Sequence, residues 1–230
     1  EVRHPTHERQ IASLDFRPAR GADKKTVRAA EAAEERLGVE ALGDVPVGLD
    51  HLYRWVLLGS VIHELSALRA LGFEPPGRWE HVQAWPFDPG DGGADPPSLA
   101  GTAQLDGGAL LRLQWLWVPE YPRYEESISV VGSRGAIHLE MPQPYGPNVP
   151  ARLTMRGPDG VGRVITDGRQ WRDSGFLEEL RVFHAAVTAD GPNPTGAAAA
   201  KVDTASLQGF TAQLAHQLGI ELGGEAGSLA

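Results

Sequence analysis

The apolar residues of this chain change period once, and that change constrains the fold more than any other feature. Over residues 48–72, Leu49, Tyr53, Val56, Leu57, Val61, Leu68 and Leu71 recur at helical spacing. Asp50 can cap the start of that helix and Gly72 can close its end, while Pro75 and Pro76 forbid continuation. Beyond them the pattern breaks into short runs. Strands are predicted over 79–87, 99–105, 109–118, 127–131, 136–139, 151–155 and 161–165. The breaker-rich stretch DPGDGGADPP and the turn Asp106-Gly107-Gly108 separate the first three. Two helices follow, over 175–189 and 201–218. Upstream, residues 23–37 read as a helix with Asp23 as N-cap and Gly38 at its end, and residues 11–16 as a short strand.

Strands gathered in a block, rather than alternating with helices, argue for an α+β fold. The expected architecture is an open, largely antiparallel sheet with helices packed on one face. No internal repeat and no linker divides the sequence, so residues 1–230 read as one domain.

Composition narrows the function. Of 230 residues, 41% are hydrophobic, enough for a core, and 28 Gly with 18 Pro make the chain turn-rich. A net charge of −9 without a basic run repels phosphate backbones and anionic lipid, so neither nucleic acid nor a membrane surface is an expected partner. The longest apolar run begins at Trp55, is broken by Gly59 and Ser60 and ends at His63, too short to span a bilayer. The lack of cysteine removes disulfides, thiolate catalysis and Cys-ligated metals, and suits a cytoplasmic chain. No GxGxxG follows a strand and no GxxxxGK[ST] occurs, so this chain alone encodes no dinucleotide or P-loop site. Gly132-Ser133-Arg134-Gly135 lies between two strands and reads as a turn.

His63 is the leading candidate for chemistry. On an α-helical wheel it shares a face with Leu52, Val56, Gly59, Ser66 and Ala70, narrowed by small residues. An imidazole on such a face can act as general acid or base, or bind a substrate hydroxyl; the plain alternative is a packed, inert histidine. His4 and His7 have a spacing seen at metal sites, but no third ligand stands at a recognisable distance, so no metal is expected. Tyr145 lies in PQPYGPNVP, a rigid loop after a strand, where binding residues collect. Trp115, Trp117, Tyr121 and Tyr124 read first as core and interface, and second as stacking surfaces for sugars. Leu111, Leu113, Trp115 and Trp117 alternate along one strand and mark a face to be hidden in a homo-oligomer.

Several segments together resemble a known family. LGSVIHELSALRALG resembles the signature helix of the Gfo/Idh/MocA oxidoreductases, in which an Asp-x-x-x-His pair precedes an apolar run, and His63 takes the histidine's place. ESISVVGSRGAIHLEMPQPYG is similar to the family's hairpin with a Gly-x-x-Gly turn. FLEELRVFHAAVTADG and the final helix are similar to its C-terminal pair, and Arg3-His4-Pro5 resembles its Arg-rich junction. The resemblance covers nearly the whole chain, but only as the family's C-terminal domain.

That resemblance implies a dihydrodipicolinate-reductase-like α+β domain serving substrate binding and oligomerisation through a sheet face. It implies NAD or NADP on an N-terminal Rossmann domain that this sequence does not contain. The chemistry implied is hydride transfer at a sugar or cyclitol hydroxyl. His63 would be the catalytic residue, and Arg3, His4 and Tyr145 would contact the polyol or sugar. Gly59 stands where the motif has its Asp. Two readings follow: a substrate-binding domain of an NAD(P)-dependent dehydrogenase, or a catalytically inactive stand-alone domain for self-association or partner binding.

Overall fold

The computed structural model describes residues 2–4, 23–91, 95–121, 124–141, 151–164, 175–189, 193 and 195–229. In chain order the elements are β1 (Val2–His4), α1 (Lys24–Leu42), α2 (Val47–His51), a π-helical segment (Leu52–Val61) and α3 (Ile62–Ala70). The strands β2 (His81–Trp85), β3 (Ser98–Gln104), β4 (Leu110–Trp117), β5 (Glu125–Gly132), β6 (Gly135–Met141), β7 (Arg152–Arg156) and β8 (Gly162–Val164) follow. The helices α4 (Gly175–Ala189) and α5 (Ala197–Leu218) come last, before a 3-10 turn at Ala226–Ser228. The expected mixture of helix and antiparallel sheet is observed. The strand expected over 11–16 lies outside the described residues.

The chain forms two compact units, each built from separated stretches of sequence. Residues 16–115 and 194–230 make a helix-rich unit; residues 1–15 and 116–193 make a sheet unit. No linker marks the boundary, which falls within β4, between Trp115 and Leu116.

In the helix-rich unit, Asp23 caps α1 by accepting hydrogen bonds from the Lys25 and Thr26 amides at 2.9 and 3.1 Å. The helix does not stop at Gly38. It runs to Leu42 and ends at Gly43, whose φ of 80° only glycine adopts without strain. Gly38 is instead buried where a Cβ would come within 3.0 Å of the Asp50 carboxylate, so its smallness serves packing. Asp50 is likewise not a cap: Pro46 holds that position, and the Asp50 carboxylate is bonded by the Arg54 guanidinium one turn later. The C-terminal segment closes on α1, with the Gly223 amide donating to the Leu42 carbonyl at 2.8 Å and Glu225 to Glu40 at 3.0 Å.

Residues 48–72 are not one α-helix. Between α2 and α3 the winding loosens, and the Ile62 amide donates to the Leu57 carbonyl five residues back. Packing explains why. Leu52, Tyr53, Val56, Leu57 and Val61 are all buried, and the wider turn keeps both Leu57 and Val61 on the core side. The buried stripe then resumes at Leu65 and Leu68.

The strands β2, β3 and β4 form an antiparallel ladder. Val82, Gly101 and Leu113 align across it, as do Ala84, Leu99 and Trp115. Gly101 is needed where it stands, because a Cβ would meet the rings of Trp79 and Phe210 at 2.7 and 2.8 Å. Those rings meet edge to face, with centroids 5.2 Å apart, and the Trp79 indole donates to the Ser206 carbonyl of α5 at 2.9 Å. Within this unit the side of β4 expected to be a free face is covered in part: Leu99, Ala103 and Trp115 are buried, and Leu111 and Leu113 are half-buried. The alternation was sound, but the tryptophan and phenylalanine that cover it come from distant segments.

The sheet unit holds β1, β5, β6, β7 and β8 in an antiparallel ladder, in that order. Gly132-Ser133-Arg134-Gly135 forms the turn between β5 and β6, as expected. Register sorts the faces. Ile128, Leu139 and Leu153 stand in one row, and Val130, Ile137 and Met155 in the next, on the same side. Ser127, Glu140 and Arg152, and Ser129, His138 and Thr154, form the rows of the opposite side. None of the residues of 116–193 whose burial is described is buried. On α4, Leu180, Phe183 and Val187 are exposed by 64–68%.

Burial in the helix-rich core also has a titratable consequence. The Tyr53 hydroxyl is hydrogen-bonded to Gln208, which donates to Glu225 at 3.0 Å. Desolvation, aided by the Glu225 charge and opposed by the Gln208 bond, pushes Tyr53 up from 10.0 to about 12. Because the folded value is the higher one, this stabilisation is complete below pH 10 and lost as pH rises to about 12. Alkaline titration followed by tyrosinate absorbance should show one of the four tyrosines ionising only near pH 12 or on unfolding. In Tyr53→Phe that late step should be absent.

Candidate functional site

His63 occupies the first turn of α3, directly after the π-helical segment. It is exposed. The face on which an α-helical wheel groups it is divided: Leu52 and Val56 are in the core, whereas Gly59, His63 and Ala70 face solvent. The π winding is the reason, since its extra residues per turn carry the buried stripe from Leu57 to Val61 and Leu65 and leave His63 outside it.

The helix bearing His63 is held on both sides. Before it, the Trp115 indole donates to the Ser60 hydroxyl at 2.9 Å. After it, Arg69 grips Asp203 of α5 through two parallel bonds of 2.8 Å, and a third of 3.2 Å reaches Ser66. Asp203 is almost wholly buried, and its hydrogen bonds raise the Arg69 guanidinium above its ordinary value. An imidazole on this support can accept or return a hydroxyl proton.

The other expected site residues stand apart from His63 in the chain's organisation. Arg3 and His4 belong to β1 of the sheet unit, where Arg3 lies opposite Glu125 of β5. Tyr145 and His7 lie outside the described residues. Sequence reasoning missed the polar groups that gather at the start of β5. There the Tyr121 hydroxyl donates to Glu125 and the Tyr124 hydroxyl to Glu126. It also missed the pairing of Ser129 with His138 Nδ1, 2.8 Å across the β5–β6 hairpin. Two residues 9 apart meet only through hairpin register, and the Gly-x-x-Gly turn was the one signal that fixes it.

Among the described residues, no group of three or more His, Asp or Glu side chains could hold a metal ion. No helix among them is long and apolar enough to cross a membrane. No protein-family model, curated protein or solved structure matches the chain.

Gly59, four residues before His63, is open. A Cβ there would meet only the Arg54 carbonyl, at an ordinary 3.5 Å. Gly59→Ala should raise stability by ~0.5–1 kcal/mol in urea unfolding, as expected for a helix interior. Gly59→Asp should fold with a melting temperature close to that of the parent. A loss above about 2 kcal/mol in both variants would mean that the position is closed.

Proposed function

We propose that this chain is the substrate-binding and self-associating domain of an oxidoreductase of the Gfo/Idh/MocA type, acting on a sugar or cyclitol hydroxyl. One observation carries the reading: His63 stands exposed on a helix fixed on both sides by buried partners. Fixed support limits the reorganisation needed when a substrate hydroxyl binds, and exposure lets it bind. In this reading His63 binds the reacting hydroxyl and holds its proton. Arg3, His4 and Tyr145 contact other hydroxyls of a polyol or sugar.

The resemblance also implies NAD or NADP. The residues here do not fit it: every described strand pairing is antiparallel, and the sequence has no GxGxxG motif. The cofactor of this reading is held by other residues, and no step of His63's role is routed through it. The fold implied with it, a dihydrodipicolinate-reductase-like domain, is supported by the order of helices and antiparallel strands alone.

Self-association belongs to the same proposal. The rows Ile128–Leu139–Leu153 and Val130–Ile137–Met155 offer two tiers of apolar side chains, flanked on the same side by Glu126 and Arg163, and a second copy would cover them. This face also supports the second reading, an assembly domain without catalysis, which Gly59 in place of the motif's Asp favours.

The two readings part in one set of measurements on the full-length protein. The enzyme reading expects calorimetric binding of NAD or NADP, polyol oxidation, and a fall of roughly 10²–10⁴ in turnover for His63→Asn. Both expect a dimer or larger by light scattering, broken to a monomer by Leu139→Asp. Association without cofactor binding leaves the second reading; a monomeric parent protein overturns the self-association claim.

A further inference from the structure

We infer that the Trp115 indole is a positioning group for His63: its bond to the Ser60 hydroxyl fixes the end of the π-helical segment, and so the direction in which the next turn presents the imidazole. The inference takes its functional meaning from the reading of His63 above, but the geometry it concerns stands apart from that reading.

A π-helical run persists only where its surroundings hold it, because i→i+5 winding is the rarer and less favourable state. Polar ties act on this one at both ends. Arg54 reaches Asp50 and, at 3.4 Å, Glu34; Tyr53 meets Gln208. Both lie near the start of the segment. At its far end Ser60, one residue before Val61 and three before His63, supplies a polar tie. The donor is rigid: Trp115 is 3% exposed and sits on β4 opposite Leu99.

On the far side of His63, Leu65 and Leu68 are in the core and Arg69 is locked to Asp203. α3 therefore cannot turn as a whole. If the Ser60 tie is lost and the last π turn relaxes to α winding, the excess of one residue, ~100° of rotation, must be absorbed between these anchors. His63 lies within that interval. A bond that merely satisfied a buried indole would leave its direction unchanged.

The experiment uses the isotopically labelled chain and reads the His63 ring resonances, amide exchange at residues 61–64 and thermal unfolding. Trp115→Phe keeps the ring and removes the donor; Ser60→Ala removes the acceptor; Ser60→Thr restores a hydroxyl. The expected result is that the first two shift the His63 ring signals and speed local exchange about tenfold, as a locally loosened segment does. Ser60→Thr should stay at parental values, and the double variant should add nothing to either single change. Unaltered His63 signals and local exchange in Ser60→Ala would overturn the inference, whatever happens to the melting temperature. That variant decides the matter if Trp115→Phe does not fold. Failure to detect oxidoreductase activity would remove the proposed function and leave these readouts untouched.

Discussion

The contact of Trp79 and Phe210 with Gly101 is the constraint on which the helix-rich unit depends. Two rings occupy the space that any side chain on the middle of β3 would need, so ladder and helix approach closely only because residue 101 is glycine. This contact seats α5. From there α5 presents Asp203 to Arg69, and the buried two-bond pair fixes α3. Removing one partner of such a pair costs ~3–5 kcal/mol, because a buried charge is left alone. The candidate histidine thus takes its place from a chain of contacts that starts in a strand roughly 40 residues away in sequence.

The two units solve the burial problem differently. The helix-rich unit removes large side chains from water, with Trp79, Tyr53, Phe210 and several leucines nearly inaccessible. Among the residues of the sheet unit whose burial is described, none is buried, although its ladder has two apolar rows on one side and α4 carries a leucine, a phenylalanine and a valine in the open. Apolar area left in water contributes none of the ~25 cal/mol per Å² that drives folding. A ladder of this kind gains stability from whatever covers it.

Much of the fold was legible because it follows from local chemistry. The Asp23 cap, the Gly72 stop, the hairpin at Gly132-Ser133-Arg134-Gly135 and the seven later strands need only period and turn residues. The misses came where distant residues override local preference. Gly38 looks like a helix stop, yet it is small because Asp50 packs there. The π winding cannot be read from spacing designed for 3.6 residues per turn, and it moved His63 off the face assigned to it. β1 is three residues long and exists through its pairing with β5, so nothing in Val2–His4 announces it. His63 itself was legible as a polar side chain in an apolar helix; the Trp115, Arg69 and Asp203 that hold the helix were not, since they act across more than one element.

The sheet unit's register ties these points to function. A slip of one residue between β5 and β6 would send Ile128 and Val130 to the side of Ser129 and His138. The ladder therefore keeps its two apolar rows on one side only while the turn at Gly132–Gly135 holds its length. If a second copy covers the apolar side, that register is reinforced from outside, and the stability of the sheet unit becomes dependent on protein concentration. The helix-rich unit, with its own buried core and its buried ion pair, carries no such dependence. A candidate histidine placed on the self-sufficient unit keeps its geometry whether or not the apolar face is covered, which is the arrangement expected where one part of a chain binds and another assembles.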